Sequence, residues 1–479
     1  MRAYVKILNF PQTVVGWLIE INAYKRNNLF MKIVIIGGVA AGAKTAAKTK
    51  RTLPDSEVHI FTKDNYVSYS ACGMPYYIAG DFKDWQQLII RSVEEFEKSG
   101  IHIHTRKLVT KILPADKKIM VKNLDTEDWQ FVEYDKLVIA TGAEPYMPEF
   151  SNVKSKRIYT LRTLDDGIAV KEGMKDAKHI TIIGGGYIAI ELVEAFVKNK
   201  KSVTLLERSP FVLSMLDEDI STLVQDYILA NSDGLVRIIN NDTVSEIVGE
   251  DPTLDVITQK GYGFETDMVV VASGVKPVVD IAVDAGIALG KTGAIKVNSR
   301  METNLPDIYA CGDCAEKINM VSGTPVWVPL GSTANKEGRV TAINVSGGVE
   351  DFEGILGSSV LRYRDLNISR TGLTEKEALK LGYDEISVII TKRDKAGYMP
   401  EVKNITLKLV ADKRSHKILG AQAIGCGDAD KRVNTVSIGL LQGITVEELI
   451  DADLTYAPPF STSIDILISA AQILKSKLY

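Results

Sequence analysis

The feature that most constrains this chain is a local pattern it carries twice: an apolar strand that runs without a break into a glycine-rich turn and then a helix. The first copy is Lys32–Ile36 followed by Gly37-Gly38-Val39-Ala40-Ala41-Gly42, with a helix expected from about Ala43 to Arg51. The second is His179–Ile183 followed by Gly184-Gly185-Gly186-Tyr187-Ile188-Ala189, with a helix expected through Val197. Unbroken apolar strands of this length belong in parallel sheets covered on both faces. Glycine allows the tight turn and the close approach of a phosphate, and the partial positive charge of the helix N-terminus attracts a pyrophosphate. One such fingerprint is weak evidence. Two, each in a strand–turn–helix setting, predict an α/β chain with two Rossmann-like dinucleotide-binding domains.

The two copies differ in ways that bear on their ligands. In the second, Gly184, Gly186 and Ala189 stand in register, and Glu207 follows the strand Ser202–Leu206. A carboxylate there binds both ribose hydroxyls and favours the nicotinamide cofactor that lacks a 2′-phosphate. Arg208 beside it keeps the phosphorylated cofactor open, so NADH and NADPH are both candidate co-substrates. In the first copy, which offers Gly37, Gly38, Ala40 and Gly42, Val39 takes the second glycine position. Thr62, followed by Lys63 and Asp64, stands where an acidic ribose ligand is expected after the strand Val58–Phe61. Two further apolar strands end in small-residue turns at Thr141-Gly142 and Ser273-Gly274, where the chain is expected to cross between nucleotide domains. Another runs from Asp307 into Gly312-Asp313, whose carboxylate can bind a sugar-alcohol hydroxyl of a flavin. The first site is therefore expected to take FAD and the second a nicotinamide.

The redox chemistry converges on one cysteine. Cys72 lies in Ser68-Tyr69-Ser70-Ala71-Cys72-Gly73-Met74-Pro75-Tyr76, one βαβ step past the flavin-type turn, where a thiol can lie against the isoalloxazine ring. No second cysteine stands within a few residues, so the expected centre uses one thiol. A thiol must ionise to react, which calls for a pKa below the free value of ~8.5, and a helix N-terminus is an expected cause. Cys311 and Cys314 form a C-x-x-C that straddles the Gly312-Asp313 turn. No second C-x-x-C or histidine cluster offers further metal ligands, so both read as structural thiols. Cys426 reads as a packed strand end, and His59, His102, His104, His179 and His416 fall in no metal or triad spacing. No metal site is expected.

At 479 residues the chain has room for about three domains. Four cysteines in that length are no disulfide framework, which points to the reducing cytoplasm. A net charge of −4 gives no reason to expect nucleic acid. Residues 1–30 precede a natural-looking start at Met31. Their apolar stretch Ile7–Ile21 is interrupted by Asn9, Pro11, Gln12 and Glu20 and is too short to span a bilayer, so it reads as an extension and no membrane contact is expected.

Together these residues resemble the pyridine-nucleotide disulfide oxidoreductases over nearly all of residues 31–479. Within them the Ser68-x-x-x-Cys72-Gly73-x-Pro75-Tyr76 segment is similar to that of the single-cysteine branch, which holds coenzyme A disulfide reductases, NADH oxidases and NADH peroxidases. The resemblance implies a FAD-binding domain in two pieces (31–148 and 276–348), an inserted NAD(P)-binding domain (149–275) and a C-terminal α+β dimerisation domain (349–479). In that last part Glu385–Thr391 and Ile405–Ala411 read as strands, and Asp430–Gln442 and Ser463–Lys477 as helices. Peroxidases and some oxidases of the branch carry a histidine beside the sulfur where this chain has Ala40. The segments Leu454–Ser461, with Tyr456, and Gly397-Tyr398-Met399-Pro400 are similar to ones that send tyrosines across the dimer to the active cysteine in coenzyme A disulfide reductases, although Ala71 replaces the Asn often found there. The resemblance thus implies Cys72 as the redox thiol, Tyr456 and Tyr398 as proton donors shared across a homodimer, and Ser68, Lys48 and Arg51 as contacts to the substrate. That substrate is expected to be coenzyme A disulfide or a related low-molecular-weight disulfide or persulfide. An NADH oxidase or a polysulfide reductase would use the same flavin and cysteine. A flavoprotein sensor, the remaining alternative, would be reduced once and would not turn over.

Overall fold

The computed structural model describes residues 31–148, 150 and 155–478; the N-terminal extension, residues 1–30, lies outside them. The chain enters through β1 (Lys32–Ile36), buried at its last four residues. It turns at Gly37, whose φ of +107° suits glycine, into α1 (Ala40–Thr52). The helix starts earlier than the apolar pattern suggests, so Gly42 lies inside its first turn. A β-carbon at Gly42 would sit 1.9 Å from the Gly37 carbonyl oxygen, which reserves the position for glycine. Next come β2 (Glu57–Phe61), the short α2 (Met74–Ala79), β3 (Ile101–His104) and β4 (Lys136–Ile139). The second glycine unit gives β5 (His179–Ile183), α3 (Tyr187–Lys198), β6 (Ser202–Glu207), α4 (Glu218–Ala230), β7 (Val236–Asn240) and β8 (Met268–Val271). These strands form a parallel sheet in the order β7-β6-β5-β8, closed at its edge by Ile158–Tyr159.

The chain then returns to the first sheet. Strand β9 (Ile308–Ala310) pairs in parallel with β4, giving the order β9-β4-β1-β2-β3. Helix α5 (Gly331–Val345) crosses α1 at very short range: a β-carbon at Gly338 would lie 2.5 Å from the Ala41 carbonyl oxygen. Thr45 Oγ1 donates to the Gly338 carbonyl at 3.2 Å across the same crossing.

The C-terminal part holds β10 (Ser359–Tyr363), β11 (Leu366–Gly372), α6 (Glu375–Lys380), β12 (Glu385–Arg393), β13 (Asn404–Asp412), β14 (Ile418–Gly425), α7 (Ala429–Gln442) and α8 (Ile466–Leu478). Its sheet is antiparallel in the order β10-β11-β14-β13-β12. The two strands and two helices expected here are β12, β13, α7 and α8. The sequence reading passed over β10, β11 and β14 because their composition hides them. Strand β14 is buried throughout, yet it carries Gly420, pressed against the Leu373 carbonyl, and Gln422.

Packing joins the parts. One core runs from Met74, Tyr77 and Ile78 of α2, through Ile190 and Val193 of α3, to Leu361, Tyr363 and Ile368 of the β10–β11 hairpin. A buried charge cluster reinforces it. Lys408, only 3% exposed, lies 3.3 Å from Asp217, 2.8 Å from Asp219 and 2.6 Å from Glu375. Burial alone would lower this ammonium, but the carboxylates hold it above its ordinary value. Asp217 also caps α6, accepting from the Glu375 and Lys376 amides, and takes the Gln422 amide at 2.5 Å. Removing one partner of a buried ion cluster leaves uncompensated charge and costs ~3–5 kcal/mol. Lys408→Met should therefore lower the urea midpoint of unfolding by a corresponding amount, and an unchanged midpoint would refute a stabilising role.

Candidate active site

Cys72 sits in a single 3₁₀ turn, Ala71–Gly73, that leads directly into α2. The turn is held by Gly73 N–H donating to the Ser70 carbonyl at 3.0 Å. Ser68 enters it at a φ of +49°, a costly conformation for a side-chain-bearing residue, with its N–H bonded to the Gly38 carbonyl at 2.7 Å. The cysteine loop is thus tied to the glycine turn of β1. On its other side the sulfur meets α5: a β-carbon on Gly331, the first residue of that helix, would lie 4.0 Å from Cys72 Sγ. No side chain caps this helix N-terminus.

The thiol opens into a cavity of about 1050 Å³. From the first sheet it is lined by Ala40, Ala43, Lys44, Ser68 and Arg91, and from the C-terminal part by Ser359, Arg370, Asp430 and Asn434. Lys48 and Arg51 lie further along α1 and are not among its lining residues; Lys44 takes the place expected for them. Arg370, almost fully buried, donates to the Met215 and Gly372 carbonyls and to Glu377, so this cation is fixed at the wall. Tyr398 and Tyr456 are 77% and 50% exposed and do not line the cavity within one chain. Their segments nevertheless meet, the Ala396 N–H donating to the Pro458 carbonyl at 3.2 Å.

The thiol is not lowered by the polypeptide, contrary to expectation. Burial pushes the Cys72 thiol up, the Glu191 and Asp313 carboxylates add to this, and the Arg162 guanidinium opposes it. The remaining cysteines are elsewhere. Cys311 and Cys314 are fully buried, Cys314 Sγ donating to the Ile139 and Cys311 carbonyls, and burial pushes Cys311 up to about 12. Cys426 follows β14, 3.5 Å from the Tyr227 hydroxyl.

The nucleotide turns are shaped as their glycines require. A β-carbon at Gly37 would strike the Ala140 carbonyl at 2.1 Å, and one at Gly184 the Ala272 carbonyl at 2.4 Å. A β-carbon at Gly186 would point into open space, and one at Gly185 would lie 2.8 Å from a Glu207 carboxylate oxygen, so that acid reaches the turn. Glu207 is buried and accepts from the Ser209 N–H at 2.7 Å, and Ala189 is buried in α3. Thr62 is buried with its hydroxyl accepting from the Asp64 N–H, while Lys63 is exposed. Gly142 and Gly274 both take positive φ, and Thr141 Oγ1 donates to the Val278 carbonyl at 2.7 Å.

A family model described as pyridine nucleotide-disulphide oxidoreductase matches residues 31–338, and one for that family's dimerisation domain matches residues 358–467. The chain belongs to the pyridine nucleotide-disulphide oxidoreductases. Among its relatives, the NAD(P)H coenzyme A polysulfide/persulfide reductase of Pyrococcus horikoshii is 35% identical over 452 residues, 94% of this chain and 99% of its own. The coenzyme A disulfide reductase of Staphylococcus haemolyticus is 30% identical over 440 residues, 91% of this chain and 97% of its own. The reduced CoADR-RHD of Bacillus anthracis matches with a TM-score of 0.90 and 33% identity, over 94% of this chain and 80% of that one.

The protein is therefore an oxidoreductase that takes FAD and uses NAD(P)H. The first sheet fits the flavin nucleotide. Its Gly37–Gly42 cradle admits no side chain at either end, and Gly312, at a φ of +82°, packs against Ala41 at the start of α1. The Gly312-Asp313 turn is locked from beneath. Glu337 accepts from the Gly312 N–H at 2.6 Å, and Lys317, 3.4 Å from Glu337, donates to the Gly312 and Ala315 carbonyls. Burial raises Glu337 to about 7.

Several residues at the site escaped the sequence reading. Arg162 donates to Asp313 at 2.8 Å, and nothing in its local pattern marks it. Glu191 and Glu194 had a signal: they are the only acids in the apolar helix α3. Strand register brings His59, His102 and His104 into one stack, with His59 Nδ1 3.0 Å from His104 Nε2 and burial lowering His59 to about 4. No group of three such side chains among the described residues could hold a metal ion, and no described helix is long and apolar enough to cross a membrane.

The cradle gives a direct check on flavin binding. Gly42→Ala should yield protein with little bound FAD, seen as loss of the flavin absorbance relative to protein. Full retention would show that the turn can shift by more than 1 Å without cost.

Proposed function

We propose that the enzyme reduces coenzyme A disulfide, or a related low-molecular-weight disulfide or persulfide, with NAD(P)H through Cys72. The observation that supports this most is the combination of a single cavity-facing thiol with two buried ones and one distant one. A single thiol suits a substrate that brings its own second sulfur. The cavity, about 1050 Å³, lies at the upper end of the ~300–1,000 Å³ usual for ligand sites, which suits a long nucleotide-like thiol. Lys44, Arg91 and Arg370 supply cations for its phosphates, and the named relatives act on coenzyme A substrates.

The turns at Gly37 and Gly184 would hold the two pyrophosphates, Glu207 the adenosine ribose of the nicotinamide cofactor, and Asp313 the flavin's sugar-alcohol chain. FAD, when bound, carries electron pairs between nicotinamide and sulfur. The Cys72 thiolate attacks one substrate sulfur; a new disulfide forms, the old S–S bond breaks, and the other half leaves as a thiolate that takes up a proton. The electron pair originating from NAD(P)H would then cleave the mixed disulfide, and with uptake of one proton the second half leaves as a thiol while Cys72 returns as a thiolate. Tyr456 and Tyr398 of a second subunit act as the proton donors in this reading. Their exposure beside Phe460 and Ile464, 75% and 48% exposed, supports a homodimer face. The free state of all four cysteines supports a reducing, cytoplasmic compartment.

Anaerobic NADH and NADPH oxidation with coenzyme A disulfide is the test. Turnover should be rapid, fall to background in Cys72→Ser, and show a KM for the disulfide raised ~10-fold or more in Lys44→Ala, since one hydrogen bond to a charged group is worth ~1.5–3 kcal/mol. Fast NADH consumption only in air would instead make the protein an oxidase. For the nicotinamide, Glu207→Ala should raise the KM for NADH by a similar factor while sparing NADPH; equal losses for both would remove Glu207 from the ribose.

A further inference from the structure

Three histidines of the first sheet take no part in the sulfur chemistry, yet they stand directly beneath the flavin-side turn. His59 on β2 and His102 and His104 on β3 share one face, because the parallel register sets His59 against His102 and Phe61 against His104. Their rings stack. His59 lies 4.7 Å from His102 and 5.3 Å from His104, and Phe61 lies 4.3 Å from His104, between ring centroids. His59 Nδ1 and His104 Nε2 are 3.0 Å apart, so one ring donates to the other. His59 Nε2 is buried without a hydrogen-bond partner, 3.7 Å from the Glu57 carboxylate. The backbone of the same residues carries the nucleotide site. The Phe61 carbonyl accepts from the Gly37 N–H at 2.8 Å, the His104 carbonyl from the Thr62 N–H at 3.0 Å, and the Thr62 carbonyl from the Lys107 N–H at 2.8 Å.

We propose that this stack is an acid-sensitive latch on the flavin site. With His59 and His104 neutral, it holds the end of β2 against β3 and so fixes the Gly37 turn and Thr62; when both rings take up protons, the strand ends part and FAD is released. The proposal rests on the first sheet being the FAD site and not on the identity of the sulfur substrate.

The geometry makes the two charge states incompatible with one packing. The bond between the rings needs one nitrogen that accepts, and a protonated imidazole has only donors, so two charged rings face each other as donors with like charge in contact. The surroundings add to the resistance. Burial lowers His59 to about 4, the charges of His102, His104 and Lys32 add to this, and only Glu57 opposes it. Burial also lowers His104, helped by His102, Lys107 and Lys32. The charged groups facing the pair are thus Lys32 from β1, Glu57 from β2, His102 from β3 and Lys107 just beyond it. A base held below its ordinary value of 6.5 contributes stability that is complete above that pH and is lost as pH falls toward about 4. FAD therefore stays bound at neutral pH and leaves across that acid window.

FAD release from the loaded enzyme, followed across that window by the recovery of free-flavin fluorescence beside far-UV circular dichroism, tests this. Each histidine that gains a proton on release adds one unit to the slope of log Kd for FAD against pH, so the wild-type slope should approach about two while the circular dichroism signal is retained. The double variant His59→Gln, His104→Gln should lose that slope and hold FAD to lower pH. His102→Gln, which alters only the exposed end of the stack, should keep it. In NMR of isotope-labelled histidine rings, His59 and His104 of the wild type should stay neutral below their ordinary value while FAD is bound and gain protons together as it leaves. A double-variant profile that superimposes on wild type overturns the proposal. So does release that coincides with loss of the circular dichroism signal, or a pair of rings that titrates at the ordinary value with FAD still bound. Should the double variant fail to fold, the wild-type NMR titration decides alone.

Discussion

The site depends above all on how closely α1 and α5 cross. Gly338 removes the side chain that would hold these helices apart, Thr45 spans the gap to the Gly338 carbonyl, and Gly42 lets α1 start tight against the Gly37 turn. The helix approach is allowed only by glycine, because a Cβ contact of 2.5 Å cannot be relaxed against the Ala41 carbonyl oxygen. Its effect is to bring two helix N-termini to the same place. One opens the flavin-nucleotide turn; the other, at Gly331, lies beside Cys72 Sγ. Both ends carry unpaired N–H groups and partial positive charge, suited to phosphate in one case and to developing anionic sulfur in the other. The Gly312-Asp313 turn wedges against Ala41, and the buried Lys317–Glu337 pair ties that turn to α5. Loosening this crossing would move the Gly37–Gly42 turn, the Asp313 carboxylate and the thiol together.

The C-terminal part closes the site from the other side. Its hairpin supplies Ser359 and Arg370 to the cavity wall, and the same Arg370 grips the Met215 carbonyl of the nicotinamide-binding region. Lys408 and its carboxylates hold that contact a short distance away. Charge placed at an interface of this kind fixes relative position more than it adds stability, because desolvation cancels much of the Coulomb gain. Position is what the chemistry requires: Tyr187, next to the second glycine turn, donates or accepts at 2.6 Å with Ser359 on the substrate side.

What could be read from the sequence was whatever the backbone dictates locally. The two glycine turns, their flanking strands, the Cys72 loop and the absence of a neighbouring thiol follow from spacing alone, since glycine there answers to contacts within a few residues. Strand β14 did not follow, because its buried Gly420 and Gln422 satisfy tertiary partners, Leu373 and Asp217, that local pattern cannot show. Lys44, Lys48 and Arg51 share one face of α1 at i, i+4 and i+7, so Lys44 instead of the other two at the cavity is a matter of distance along the helix from its N-terminus. The histidine stack needed the register of β2 against β3.

The state of the thiol was the hardest property to foresee. A helix N-terminus argues for a lowered pKa, and that expectation rests on what is nearby in sequence. The dominant influences come from elsewhere: burial, Glu191 from the nicotinamide-binding helix and Asp313 from the returning chain. A thiol whose pKa is raised is protected from adventitious oxidation, because the reactive thiolate is scarce.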